Sequence, residues 1–207
     1  MRVLRLLKPA VFVLCLVPLG LMVFDGVTGG LGVNPVEAIT HRTGDWTLRL
    51  LLVTLAMTPL RRLSGWGWPL RVRRMLGLFS FFYACLHLLT YVWLDQFFDL
   101  WAIVEDVIER PFITVGMLAF VGLIPLAVTS TNGMMRRLGR RWKVLHRLVY
   151  AVAILGVVHF WWLVKADVRE PLLYALILAG LLGYRVVGYV RRLRRARSSR
   201  LETGAGA

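Results

Sequence analysis

The fold is decided by residues 144–164, which read VLHRLVYAVAILGVVHFWWLV. A helix that crosses a bilayer needs about 17–25 predominantly apolar residues, and this stretch meets that requirement while carrying His146, Arg147 and His159. The whole 207-residue chain has the same character, with 58% hydrophobic and 18% charged residues. Soluble proteins average roughly 45–50% apolar and about 25% charged residues. The sequence therefore predicts an integral membrane protein.

Six apolar stretches predict an all-α bundle of six transmembrane helices that fills a single domain, residues 1–207. The stretches are 9–26, 46–60, 75–94, 111–129, 144–164 and 171–190. The second is the shortest and contains Arg49. The first follows basic residues as a secretory signal would, but Phe24-Asp25-Gly26 is not a small-residue cleavage site, so this helix is expected to be retained. Residues 191–207 are predicted to form a basic cytoplasmic tail.

The charges are distributed unevenly, with 26 Lys and Arg residues against 11 Asp and Glu. Four basic clusters hold 19 of the 26 cations: residues 2–8, 61–74, 136–143 and 191–200. Ten of the eleven acids lie at the opposite helix ends. Because Lys and Arg accumulate in cytoplasmic loops, both counts predict cytoplasmic termini. The basic tail could bind nucleic acid, but contact with anionic membrane lipid is the favoured interpretation.

The segment 95–110 has an amphipathic pattern at helical periodicity. Its acidic side holds Asp95, Asp99, Asp106 and Glu109, and its apolar side holds Phe97, Trp101, Val104 and Ile108. The pattern predicts a helix in the outer membrane interface with an acidic stripe facing water. The segment would serve either as a connector on the lipid surface or as part of a docking surface for an outside partner.

Three of the four histidines lie in predicted spans, where ionisable groups are costly and usually functional. His87 lies about 18 Å and His159 about 22 Å from the cytoplasmic ends of two parallel helices, at 1.5 Å per residue. Two facing imidazoles at matched depth are what a bis-histidine b-type haem requires. The chain has no C-x-x-C-H sequence, which excludes covalent c-type haem.

His146 lies about 20 Å below His159, near the cytoplasmic surface, and indicates a second haem and a path for electrons across the bilayer. Thirteen residues of regular helix do not return to the same face. The helix therefore needs an irregularity, for which Gly156 is a candidate, or the two sites are contacted from different sides. Opposite His146 the third helix offers Arg73, Arg74 and Met75 rather than a histidine. Methionine can ligate haem, whereas arginine can pair with a haem propionate.

Arginines at the helix ends are candidates for holding acidic groups of a cofactor. Arg73, Arg74 and Arg147 lie at the predicted inner ends, and Arg49 lies near an outer end. Their ordinary role is positive-inside topology; their functional role would be charge-assisted hydrogen bonds to haem propionates or a flavin phosphate. His41, in the first outer loop, is expected to be an ordinary exposed histidine. No residue is assigned a catalytic role.

Several short motifs resemble one known family. They are RRWKVLHRLVY at 140–150, HFWW at 159–162, LGL at 76–78, LHL at 86–88, NPVE at 34–37 and TS at 129–130. Together they resemble the haem-binding membrane subunits of bacterial periplasmic methionine sulfoxide reductase systems. Those subunits belong to the ferric reductase-like transmembrane family, and the resemblance runs over nearly the whole chain.

The resemblance implies a b-type cytochrome of the bacterial inner membrane with one or two haems and FMN. Such a subunit takes electrons from the quinone pool and passes them to a periplasmic molybdopterin-containing methionine sulfoxide reductase, on which the catalytic site lies. The family's membrane histidines fall on His87, His146 and His159. Larger relatives have four haem ligands and a cytosolic flavin domain, so the inner ligand and the electron donor stay open here.

Two other classes of protein fit part of the pattern. A transporter or proton channel could use the histidines as a relay, although no spanning stretch has a carboxylate in its middle and no convincing repeat is visible. A membrane anchor for another enzyme would make the histidines dispensable. The absorption spectrum of the purified protein distinguishes a transporter from a cytochrome, because a haem protein has a reducible Soret band and a transporter is colourless.

Overall fold

The computed structural model describes residues 2–164 and 167–204, and all regular structure in these ranges is helical. The helices are α1 (Arg2–Thr28), α2 (Pro35–Ser64), α3 (Trp68–Leu89), α4 (Leu100–Glu109), α5 (Pro111–Val128), α6 (Asn132–Leu138), α7 (Arg140–Leu145), α8 (Leu148–Leu163) and α9 (Arg169–Gly204). A π-helical segment, Thr90–Asp95, continues α3. The predicted all-α class is confirmed.

Local sequence explains where the central helices begin and end. The Asn34 side chain accepts a hydrogen bond from the Glu37 N–H at 3.2 Å, and Pro35 occupies the first position of α2, both of which favour a helix start. Gly65 ends α2 in the left-handed conformation, with φ of 74°. Pro111 begins α5 in the same way that Pro35 begins α2.

Five segments of the described residues are long and apolar enough to cross a membrane. They are Leu6–Thr28, Trp68–Asp95, Pro111–Val128, Arg140–Leu163 and Arg169–Arg194. Each contains or closely matches a predicted stretch. The remaining prediction, 46–60, lies inside α2, which is one continuous 30-residue helix but does not reach the apolar composition of a span. This helix contacts α1, α3, α8 and α9, and its Arg49 donates to Tyr174 of α9 and to Asp45 one turn earlier in α2.

The core consists of two apolar clusters that share α2. One joins α2, α3, α5, α8 and α9 around Leu55, Val152 and Ala153, and the other joins α1, α2 and α3 around Val72 and Tyr83. The most extensive helix contacts are α2 with α3 and α5 with α8. The bundle is therefore organised around two helix pairs, and each pair carries one membrane histidine.

The structure differs from the predicted boundaries at three places. The fifth helix is interrupted at His146 and Arg147, between α7 and α8, so the irregularity lies there and not at Gly156. The last helix, α9, continues past the predicted end of the sixth span to Gly204, so the predicted tail begins as part of this helix; residues 205–207 lie outside the described residues. The segment 95–110 is not one helix, because Asp99 caps α4 by accepting from the Trp101 and Ala102 N–H groups.

The predicted water-facing acidic stripe is also wrong for Asp106. This residue is only 9% exposed, and its carboxylate accepts hydrogen bonds from the Tyr91 hydroxyl at 3.0 Å, the Gln96 amide at 2.8 Å and Arg110 Nε at 3.0 Å. Three donors compensate for the lost hydration. On the predicted apolar side, Trp101 is 83% exposed. Side chains of this kind suit the membrane interface.

Arg185 compensates for a proline in α2. Pro59 has no N–H, so the carbonyl of Leu55, four residues earlier, loses its helical partner. Arg185 of α9 donates to that carbonyl at 2.5 Å and to the carbonyl of Leu181 at 2.8 Å, and its guanidinium lies 5.3 Å from the centre of the Tyr150 ring. Neighbouring helices satisfy freed backbone groups in membrane bundles in this way.

We expect Arg185→Met to lower the free energy of unfolding by about 1–3 kcal/mol, because the buried carbonyl of Leu55 loses its donor. The loss should be smaller in a Pro59→Ala background, where the backbone N–H at position 59 can donate instead. Chemical unfolding in detergent of the four proteins of this cycle measures the coupling. Arg137→Met, at an exposed position, is the control. Equal losses in both backgrounds would contradict the assignment.

Candidate functional site

A cavity of about 350 Å³ lies between α2, α3, α5 and α8 and is lined by both His87 and His159. We call it the histidine-pair cavity. Its walls are mainly apolar, with Leu48 and Phe120 among them, while Arg110 and Asp95 also line it. A cavity of several hundred Å³ with apolar walls and a few polar groups is typical of a cofactor site.

The structure brings His87 and His159 together, as their matched depth predicts. Their ring centres are 6.1 Å apart, and the ring planes are inclined by 79°. Two metal–imidazole bonds of about 2 Å each, together with the distance from each ring centre to its nitrogen, come to about 6 Å. The spacing therefore suits one metal ion held between the two rings.

Each of these imidazoles is anchored to a backbone carbonyl through Nδ1. His87 Nδ1 lies 2.9 Å from the Thr40 carbonyl oxygen, and His159 Nδ1 lies 2.7 Å from that of Phe112. A carbonyl only accepts, so both Nδ1 atoms carry the proton and donate, and Nε2 keeps the lone pair in each neutral ring. Such a bond fixes the orientation of a metal-ligating histidine and increases its basicity.

The two anchored histidines make the same kind of contact in two different helix pairs. In both, the donor and the carbonyl residue are 47 positions apart. The first bond joins α3 to α2, and the second joins α8 to α5. The two most closely packed helix pairs of the bundle thus present their imidazoles to one cavity in the same way.

A second cavity, of about 430 Å³, is lined by Arg71, Arg73, Arg74 and His146. We call it the arginine-lined cavity. Leu51 and Leu123 line both cavities, so only a thin apolar layer separates them. The predicted association of Arg73 and Arg74 with His146 is therefore present. Among the described residues no second imidazole lines this cavity.

His146 is held differently from the other two histidines. Its Nε2 lies 3.0 Å from Thr129 Oγ1, and that hydroxyl donates its proton to the Pro125 carbonyl at 2.6 Å. Oγ1 must therefore accept, so the proton of His146 is on Nε2. The ring also stacks on Trp142, with centres 3.9 Å apart. In His87 and His159 the Nε2 atom is unprotonated and carries the lone pair, whereas in His146 Nε2 is protonated and donates to Thr129.

The arginine predictions divide into two groups. Arg73 donates to Thr58 Oγ1 at 3.3 Å, and Arg74 contacts Asn132 and Met135; both line the arginine-lined cavity. Arg147 is exposed and does not line it.

Arg49 is not brought to the histidine-pair cavity. It donates to the Tyr174 hydroxyl at 2.7 Å and to Asp45 at 3.3 Å. Sequence reasoning missed Arg110, which does line that cavity and pairs with Asp106. The signal was weak: an isolated cation among acids, directly before the predicted span 111–129.

The donor set fits a prosthetic group better than a bare metal ion. Within the described part of the chain, no three His, Cys, Asp or Glu side chains are grouped closely enough to hold a metal. Two axial imidazoles are sufficient for haem, because the porphyrin supplies the other ligands. The arginines of the second cavity fit the carboxylates or phosphates of an acidic cofactor.

Comparison with known proteins identifies the family of the chain. The family described as "Ferric reductase like transmembrane component" matches residues 43–157, which include α3, α5 and most of α2 and α8. The chain belongs to this family of ferric reductase-like transmembrane proteins. No solved structure matches the chain.

Its curated relatives narrow the family further. The chain is 57% identical over 195 residues to a protein of Rhodospirillum rubrum, covering 94% of each chain. It is 56% identical over 186 residues to one of Herminiimonas arsenicoxydans, covering 88% of this chain and 85% of the relative. Both relatives are named protein-methionine-sulfoxide reductase heme-binding subunit MsrQ.

Proposed function

We propose that this protein is a b-type cytochrome subunit of a bacterial inner membrane that passes electrons from quinol to a periplasmic molybdopterin-containing methionine sulfoxide reductase. The observation that carries the proposal is the pair of imidazoles, His87 and His159, whose centres are 6.1 Å apart across one cavity. The heme-binding subunits to which the chain is similar support the choice of haem. The molybdopterin partner follows from the family resemblance.

Haem b, when bound, supplies a reversible one-electron carrier. The protein's own part is to present His87 of α3 and His159 of α8, whose imidazoles would hold the haem iron and are themselves held by the Thr40 and Phe112 carbonyls. Apolar side chains such as Leu48 and Phe120 line the histidine-pair cavity. Arg110 is placed to neutralise an acidic substituent, since it lines the same cavity.

The arginine-lined cavity is proposed as the site of electron input, with FMN as its cofactor. Three guanidinium groups suit a phosphate, whereas a second bis-histidine haem would need another imidazole and would compete with Thr129 for His146 Nε2. The thin layer formed by Leu51 and Leu123 would keep the two cofactors close. Arg73 and Arg74 would then bind the phosphate of FMN, and His146 lines the same cavity.

The proposed topology has six crossings, with α2 as the sixth, and both termini in the cytoplasm. The basic clusters at 61–74 and 136–143 then lie inside. This places the arginine-lined cavity on the cytoplasmic side and the histidine-pair cavity on the periplasmic side, toward the partner. Cysteine-scanning with a membrane-impermeant thiol reagent tests it: position 33 should react from outside, and position 139 should not.

Reconstitution in liposomes tests the function. We expect quinol in the bilayer to reduce the periplasmic reductase added outside, and methionine sulfoxide to be consumed, only when this protein is present. The periplasmic reductase with quinol liposomes that lack the protein is the control. Equal reduction in the control would overturn the proposed function.

We expect Arg73→Gln and Arg74→Gln to reduce flavin affinity, each by about tenfold or more, because each loses a charge-assisted hydrogen bond. Haem content should stay at one per chain. Extraction and quantification of flavin and haem from the purified variants measures both. Arg147→Gln, outside the cavity lining, is the matched control. Two haems and no flavin in the wild-type protein would overturn the FMN assignment.

A further inference from the structure

Two glycines occupy equivalent places beside the anchored imidazoles. Gly44 follows Thr40 by four residues on α2, and Gly116 follows Phe112 by four residues on α5. Residues four apart lie on one helix face, so each glycine lies directly beside the carbonyl that its histidine uses. Each helix pair therefore has the same arrangement: a backbone carbonyl that binds the histidine, and a glycine one turn later that lies beside the imidazole ring.

A side chain at either position would meet the ring. A Cβ at position 116 would lie 2.7 Å from Nδ1 and 2.9 Å from Cε1 of His159. At position 44 it would lie 3.1 Å from Cε1 and 3.2 Å from Nδ1 of His87. Since non-bonded heavy atoms are most favourable at about 3.5–4.0 Å, position 116 would collide with its ring and position 44 would crowd its ring.

We propose that Gly44 and Gly116 are positioning residues that let His87 and His159 reach the backbone of the neighbouring helix, so that Nδ1–H is held by a carbonyl and Nε2 is presented as the ligand. This inference rests on the proposed function only in taking haem as the group that is ligated. Both glycines have ordinary helical dihedrals, so their small size is what matters.

The bond that the glycines permit also affects the electronic character of the ligand. A carbonyl that accepts from Nδ1–H increases the basicity of Nε2, and a more basic axial ligand stabilises the ferric state. Moving the ring away from the carbonyl should therefore raise the midpoint potential. A residue that merely filled space in the bundle would change stability and leave the potential where it was.

The structure supplies a matched control on the same helix as Gly116. A Cβ at position 122 would lie 2.7 Å from Cγ2 of Val152, which is as close as the contact at position 116. Gly122→Ala therefore introduces an equal clash in α5, but against a valine and not against a ligand. Gly180→Ala in α9 meets nothing within 4 Å and controls for the substitution itself.

The first experiment measures haem content, the low-spin spectrum and the midpoint potential of the purified variants. We expect Gly116→Ala to lose the low-spin bis-histidine signature. Gly44→Ala should keep it, with haem affinity weakened about tenfold and a raised potential. Gly122→Ala should unfold more easily than wild type with an unchanged potential, and Gly180→Ala should match wild type. An unchanged spectrum and potential in Gly116→Ala would overturn the inference.

The second experiment does not need haem. In the haem-free wild-type protein, ¹⁵N NMR of labelled histidine should show His87 and His159 protonated at Nδ1. In Gly116→Ala the His159 signal should lose this state while that of His87 keeps it. Nε2 protonation of both rings in the wild type would overturn the inference. A wild-type protein that binds no haem yet shows the Nδ1 pattern would instead refute the proposed function and leave this positioning intact.

Discussion

His159→Ala and His87→Ala are each expected to abolish the low-spin haem signature completely. The two rings are the only imidazoles that face each other among the described residues, with centres 6.1 Å apart, and each would supply one of the two axial nitrogens. With one ligand removed, only one imidazole would remain to hold the haem iron, so the bis-histidine low-spin state could not form. Haem quantification, optical spectra and electron paramagnetic resonance of the purified variants measure the loss.

His41→Ala is the control for these substitutions. His41 also lines the histidine-pair cavity, but its side chain is 52% exposed and its Nε2 lies 4.0 Å from Glu37, so it is not aimed at a partner imidazole. We expect this variant to keep both the haem and the low-spin spectrum. Retention of the bis-histidine spectrum in both His87→Ala and His159→Ala would refute the ligand assignment.

Much of the bundle could be predicted from the sequence because apolar length and helical rise are local properties. The positions of α5 and α9 follow from runs of apolar residues. The pairing of His87 with His159 follows from counting residues along two parallel helices. These arguments need only the spacing along one chain segment at a time.

The parts that failed depend on contacts between segments. Asp106 belongs to the acidic side of its helix by periodicity, yet Tyr91, Gln96 and Arg110 surround it. Arg49 of α2 donates to Tyr174 of α9, a partner that the sequence of α2 does not show. The carbonyls that hold the two imidazoles come from α2 and α5. The relative register of two packed helices cannot be predicted from the sequence of either helix alone.

The break at His146 has a related cause. Regular helix geometry predicts that His146 and His159 do not share a face, so that either the helix is irregular or the two sites are contacted from different sides. In the structure the helix is interrupted at His146, and the two histidines also line different cavities. The place of the interruption depends on interactions of the chain before α8: Trp142 donates from its indole to the Thr129 carbonyl at 3.0 Å and stacks on His146. A glycine is the residue at which a helix break is usually expected. Here the break lies beside contacts of Trp142 with Thr129 and His146.

Asp106→Ala is expected to lower the free energy of unfolding by at least about 3 kcal/mol, because a hydrogen bond to a charged group is worth about 1.5–3 kcal/mol and three donors lose their acceptor. The carboxylate joins Tyr91 at the end of α3 to Arg110 at the start of α5, and both of these residues line the histidine-pair cavity. Haem should therefore also dissociate faster from this variant. Thermal unfolding and transfer of haem to an acceptor protein measure the two effects.

Glu109→Ala is the matched control, since Glu109 lies on the same helix α4 and is exposed. An exposed carboxylate contributes little to stability, so this variant should unfold and release haem as the wild type does. Asp106→Asn should fall between the two, because its amide keeps one acceptor oxygen for the Tyr91 hydroxyl or for Arg110. If neutralising Glu109 were as damaging as removing Asp106, the net charge of the segment would matter and not the buried carboxylate.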